Sequence, residues 1–104
     1  MGLAKALDIL REIRALLDRY RAEPWASRIR ELEARADGAL RQGPDWARQE
    51  AVDELRDLFG GMGSFDDAVI SSLKGDAIAG SREAAVNAEL SRLRDELYET
   101  LRDS

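Results

Sequence analysis

Apolar residues recur every three or four positions through most of the chain, and this spacing predicts helices. Leu3, Ala6, Leu7, Leu10, Ile13, Leu16, Leu17 and Tyr20 form the first stripe. Asp8, Arg11, Glu12, Arg14, Asp18 and Arg19 fill the opposite face. Arg14 and Asp18 stand one turn apart and are placed to pair. Pro24 disfavours helical geometry at the residue before it, so the first helix is expected to end near Arg21 to Glu23.

Pro24 then suits the first turn of a second helix, whose buried stripe is Trp25, Ile29, Leu32, Ala36, Ala39 and Leu40. Glu31 and Arg35 have the favourable order for an acid–base pair one turn apart. Gly43 closes this helix or caps the next. The short connection between the first two helices predicts an antiparallel hairpin. Pro44 opens a third helix, with Asp45 against its dipole and Trp46, Ala47, Val52, Leu55, Leu58 and Phe59 as its apolar set. Each tryptophan follows a helix-opening proline, so both are expected to staple a helix start into the core. The alternative is a pair of tryptophans lining a ligand pocket.

Ser81 is a candidate N-cap for a last helix over Arg82 to Arg102, striped by Val86, Leu90, Leu93, Leu97 and Leu101, with Ala85, Ala88 and Tyr98 beside them. Between helices three and four the pattern breaks. Gly60 is expected to end helix three, and Gly61 and Gly63 free the backbone. Ser64 is placed to cap a short turn through Phe65 and Ala68, with Val69 and Ile70 buried after it. Over 68–80 two readings stand, a small hairpin and a short helix over 65–73 followed by irregular chain. Asn87 borders the buried stripe and must find hydrogen-bond partners. The glycine loop is the nearest unpaired backbone, so Asn87 is expected to tie it down. The fold expected is all-α: one domain over 1–104, a compact four-helix bundle with a Gly-rich irregular crossover between helices three and four.

Composition narrows the chemistry. There is no histidine and no cysteine, which removes the commonest general base, the commonest transition-metal ligand and any thiolate or disulfide. The net charge is −5 and the basic residues are interspersed with acids, so nucleic-acid binding lacks its electrostatic footprint. Acidity argues against an anionic membrane surface and fits a basic protein partner. No uncharged apolar run is long enough for a signal peptide or a membrane span, so cytoplasm is the default compartment.

The glycine cluster invites three chemical readings. A phosphate loop needs a Gly-Lys-Ser/Thr run or a strand before the glycines; here a helix precedes them and Asp66 and Asp67 follow. Ser64, Asp66 and Asp67 offer oxygens for a divalent cation, but their spacing does not match a calcium loop, and adjacent carboxylates near a helix start are more often caps. Acid–base catalysis needs a carboxylate in a water-poor site, whereas most acids here fall on solvent faces. No catalytic residue, metal or cofactor is therefore assigned. The candidate partner-binding or loop-anchoring set is Phe59, Gly60, Gly61, Met62, Gly63, Ser64, Phe65, Asp66, Asp67 and Asn87. The competing reading folds Phe59 and Phe65 inward and leaves the glycines a purely structural task.

The run Leu58-Phe59-Gly60-Gly61-Met62-Gly63-Ser64-Phe65-Asp66-Asp67, followed by Asn87-Ala88-Glu89-Leu90, resembles the signature of a family of small bacterial helical proteins without an assigned reaction. The resemblance spans roughly Leu3 to Leu101 and implies Asn where this chain has Asp66, a position at which a carboxylate cannot donate. In size, acidity and architecture the chain is also similar to helical immunity proteins of bacterial toxin systems. The expected function is accordingly non-enzymatic: an acidic module that occludes a basic protein partner, such as a toxin. The alternatives are a structural or homodimerising module and, further off, a carboxylate-based metal-binding protein or enzyme.

Overall fold

The computed structural model describes residues 2–59, 65 and 68–102. Four helices form: α1 (Gly2–Arg19), α2 (Trp25–Gln42), α3 (Asp45–Arg56) and α4 (Glu83–Arg102). Single 3₁₀ turns lie at Ser72–Lys74 and Gly80–Arg82. They pack into an elongated bundle of 45 × 21 × 21 Å. Neither strand nor α-helix occurs from Ala68 to Ser71, so neither the hairpin nor the helix over 65–73 forms; the chain runs irregularly there, with Ile70 buried and Val69, expected to be buried, exposed. None of the helices is long and apolar enough to cross a membrane among the described residues.

α1 is the central element, packed against both α2 and α4. Two neighbours demand a broad apolar face. Ile9, outside the narrow stripe read from the sequence, is buried alongside Leu3, Ala6, Leu7, Leu10, Ile13 and Leu17. Along the α1–α2 seam, Arg11 pairs with Asp37 at 3.2 Å, Arg14 with Glu33 at 2.5 Å and Asp18 with Arg30 at 2.7 Å. Numbering rises on one helix as it falls on the other, which is the register of an antiparallel hairpin. Each such surface pair contributes only a few tenths of a kcal/mol, so burial rather than charge holds the seam together. The anticipated Arg14–Asp18 contact is present at 3.6 Å, and Arg35 reaches Glu31 at 4.0 Å while also bonding Glu54 on α3.

The ends of the helices depart from the sequence expectations in informative ways. α1 stops at Arg19, and Arg21 takes a left-handed conformation at φ 52°. The Ala22 amide donates to Leu17 O at 3.0 Å and the Arg21 amide to Asp18 O at 3.2 Å. This is a Schellman closure with arginine where glycine usually stands. α2 ends at Gly43, whose amide donates to Ala39 O at 3.0 Å. A Cβ there would meet that carbonyl oxygen at 2.6 Å and the Ala47 Cβ at 3.0 Å, so glycine lets α3 turn back closely against α2.

Pro24 and Pro44 precede the first residues of α2 and α3 rather than occupying their first turns. α3 ends at Arg56, earlier than the expected stop at Gly60, and continues as a turn through Leu58 and Phe59. Ser81 lies inside the 3₁₀ turn Gly80–Arg82, so α4 grows from that turn and not from a serine cap. The two tryptophans part company. Trp25 packs inward, but Trp46 is 70% exposed and staples nothing. The cause is register: Val52 and Leu55 face the core, and Trp46 lies on the opposite side of α3.

The Arg21 conformation generates a prediction. Left-handed geometry costs a non-glycine residue about 1–2 kcal/mol, partly offset by the larger unfolded-state entropy of glycine. Arg21→Gly should therefore stabilise the fold by about 0.5–1 kcal/mol, measured by urea denaturation. An unchanged or lower midpoint would refute the strained closure.

Candidate functional site

The segment between α3 and α4 must cross the bundle without helix or strand partners, so its backbone polar groups need other ones. It is anchored first by a ring. Phe65 is fully buried, 5.1 Å from Trp25 and 6.3 Å from Phe59, and Phe59 meets Tyr98 of α4 edge-on at 5.4 Å. The Phe65 amide donates back to Leu58 O at 2.9 Å, which closes the loop that contains the glycines. Phe65 thus turns inward as the competing sequence reading has it, while Phe59 is only half-buried.

One edge of α4 supplies the missing hydrogen bonds. Asn87 Oδ1 accepts from the Ile70 amide at 2.8 Å, and its Nδ2 donates to Ile70 O at 2.8 Å and to Glu83 O at 2.9 Å. A carboxamide satisfies both halves of one residue's backbone, as a neighbouring strand would. Arg94 Nη1 donates to Phe65 O at 3.0 Å and to Ala68 O at 2.6 Å. Its guanidinium also lies over the Phe65 ring, 5.8 Å from the centroid. Glu83 accepts the Ser72 amide at 2.5 Å. That backbone hydrogen bond, with further bonds from Ser72 and Ser71, holds the Glu83 carboxyl below the usual carboxylate range. Glu83, Asn87, Ser91, Arg94 and Tyr98 recur at helical spacing and form a polar edge beside the apolar stripe that faces α1.

A second knot closes the crossover. Asp76 is buried; its Oδ2 accepts the Ser71 amide at 2.9 Å and meets Lys74 Nζ at 2.6 Å. Gly75, at φ 95°, permits the reversal between Lys74 and Asp76. The Ala77 amide then donates to Tyr20 O at 2.8 Å, satisfying a carbonyl at the end of α1.

The expectation for Asn87 is met with a shift in target. It clasps Ile70, past the glycines, and not the glycine run itself. Gly60, Gly61, Met62, Gly63, Ser64, Asp66 and Asp67, with the helix stop, serine cap and oxygen ligands assigned to them, lie outside the described residues. Arg94, Glu83, Asp76 and Tyr98 are absent from the sequence-derived set. For the α4 residues the available signal was their spacing from Asn87; for Asp76 it was its place outside the predicted helices, which it shares with Asp66 and Asp67.

Tyr98 and Phe59 also line a surface cleft of about 380 Å³, with Leu101, Arg56 and Arg102 around it. Arg56 donates to Leu101 O from Nε at 3.2 Å and from Nη2 at 2.8 Å, a cation capping the end of α4. Tyr98 is 48% exposed, so an aromatic edge is open to solvent beside the crossover. Rings framed by guanidinium groups can hold an apolar or aromatic side chain by burial and ring contact.

Two expected outcomes test the clasp. Asn87→Asp keeps the acceptor for the Ile70 amide but removes the donor to its carbonyl. It should cost about 1–3 kcal/mol in urea denaturation and speed hydrogen exchange at Ile70; a neutral effect would refute the clasp. Glu83 has a lowered folded-state pKa. Its contribution is present above its unfolded pKa of about 4.5 and is lost as pH falls through the lower folded value. Glu83→Gln should therefore flatten the acid limb of the stability–pH curve below about pH 4.5. An acid limb identical to that of the parent chain would contradict the Ser72 contact.

No curated protein and no solved structure matches the chain. A family model described as a domain of unknown function (DUF6966) matches residues 18–79. The match runs from the end of α1 through α2, α3 and the crossover, and stops before the α4 edge that clasps it. The match extends over more than half of the sequence, and the chain belongs to this DUF6966 family.

Proposed function

We propose that this chain is a non-enzymatic, acidic protein-binding module of the bacterial cytoplasm that occludes a basic partner, in concrete form a toxin-neutralising immunity protein. The observation that carries the reading is the Phe59–Tyr98 cleft, mounted on a crossover that Asn87 and Arg94 fasten to α4. Partly exposed aromatic rings on a fixed support are the usual anchors of protein interfaces, because little side-chain entropy is lost on contact. The net charge of −5 favours encounter with a basic surface. The absence of histidine and cysteine leaves the site with groups suited to contact more than to proton transfer.

Co-expression with the product of the adjacent gene tests this. The expected result is protection of the host cell and co-purification of the two proteins. Tyr98→Ala should weaken their association at least about tenfold while leaving the helical circular-dichroism signal intact. Lethality unchanged by co-expression would overturn the reading.

A further inference from the structure

Trp46 is the one tryptophan that the fold does not use. It is 70% exposed and makes no ring contact among the described residues. Leu55, nine positions on and half a turn round α3, is buried, so Trp46 points directly away from the core. Glu50, Asp53 and Asp57 follow Trp46 at spacings of four, three and four, and all three are exposed. At 100° per residue they lie within about 40° of Trp46 and make one ridge about 16 Å long. Asp53 is shared with Gln49 and Arg56; Glu50 and Asp57 have no ion-pair partner among the described residues. Arg48, the nearest cation in sequence, turns to Asp45 and Leu40 O instead.

We infer that the outer ridge of α3, with Trp46 as its anchor and Glu50, Asp53 and Asp57 beside it, is a docking face for a basic, amphipathic helix of a protein partner. The inference rests on the protein-binding reading above and adds a second face and the charge of what it meets. Tryptophan is the residue most enriched at interface hot spots, and at 70% exposure its ring is open to a partner. The carboxylates select the partner. A second copy of this chain would set like charges against like on a molecule already at −5, and nucleic acid is excluded by the same repulsion. A helix with lysine or arginine along one face, and an apolar side chain at one end to cover Trp46, matches the ridge in charge and length.

The probe is a fluorescently labelled synthetic peptide, helical, with a leucine stripe flanked by lysine and arginine, followed by anisotropy against the full chain. The expected result is saturable binding that weakens as salt rises. Trp46→Ala should weaken it at least about tenfold, and the triple reversal E50K/D53K/D57K should abolish it. Trp46→Ala should keep the parent melting curve, since the ring is exposed, and the triple variant should keep the helical circular-dichroism signal. Tyr98→Ala should bind the peptide as the parent chain does. No saturable binding, equal binding of a glutamate-substituted peptide, or undiminished affinity in both ridge variants would overturn the assignment. Peptide binding lost in Tyr98→Ala but kept in Trp46→Ala would also overturn it, while leaving the cleft as the protein-binding site.

Discussion

A chain that leaves one helix and crosses a bundle without secondary structure must still satisfy its backbone amides and carbonyls. Here that constraint falls on Ile70 and its neighbours, and the Asn87 carboxamide meets it with two bonds of 2.8 Å. Ile70 and Phe65 are fully buried, so water cannot serve as the alternative partner. An apolar residue at 87 would leave both groups of Ile70 unpaired at a cost comparable to a large part of a small domain's net stability. The aromatic contacts follow from the same fastening. Phe65 reaches Trp25 because Arg94 holds the Phe65 carbonyl and that of Ala68, and Phe59 meets Tyr98 because the turn after α3 closes onto Phe65.

α4 therefore does two jobs on adjacent edges. Val86, Leu90, Leu93, Leu97 and Leu101 bury against α1, and the edge beginning at Glu83 organises the crossover. The apolar stripe was legible because period alone reveals it. The polar edge was legible only at Asn87, where an amide next to the core demands partners. Arg94 and Glu83 share the face of Asn87, which Arg92 and Glu89 do not, but a charged residue at a helical surface is ordinarily solvated, so that spacing was the one signal they carried. Asp76 was hidden for the opposite reason: its partners lie within a few residues, in a knot whose geometry depends on the Gly75 reversal.

The tryptophans show how far local signals reach. Each follows a proline and begins a helix, yet Trp25 is held in the core cluster and Trp46 faces water. A proline marks where a helix starts but not how it is rotated; rotation is set by the positions the core takes. In α2 these are Ala26, Ile29, Leu32 and Ala36, which bring Trp25 to the rim where Phe65 arrives. In α3 they are Ala51, Val52 and Leu55, and residue 46 is then forced outward. The helix pattern was sufficient to place α3, and counting from Leu55 would have turned Trp46 to solvent. A proline beside a tryptophan therefore does not make a staple unless the phase of the helix turns the ring inward.

The boundary of the family match bears on what the folding unit is. Residues 18–79 contain α2, α3 and the crossover, but α1 contributes seven of its residues to the core and lies almost wholly outside the match. The matched stretch alone would expose the apolar faces of α2 and α3 that α1 and α4 cover. It would also leave Phe65 O, Ala68 O and both backbone groups of Ile70 without their side-chain partners. A segment with that many unpaired buried groups does not hold a fixed path. Within this chain the path of Phe65 and of Ala68 to Ser72 is thus held from α4. Arg94, on α4 and outside the family segment, sets the place of Phe65, the ring against which Phe59 packs.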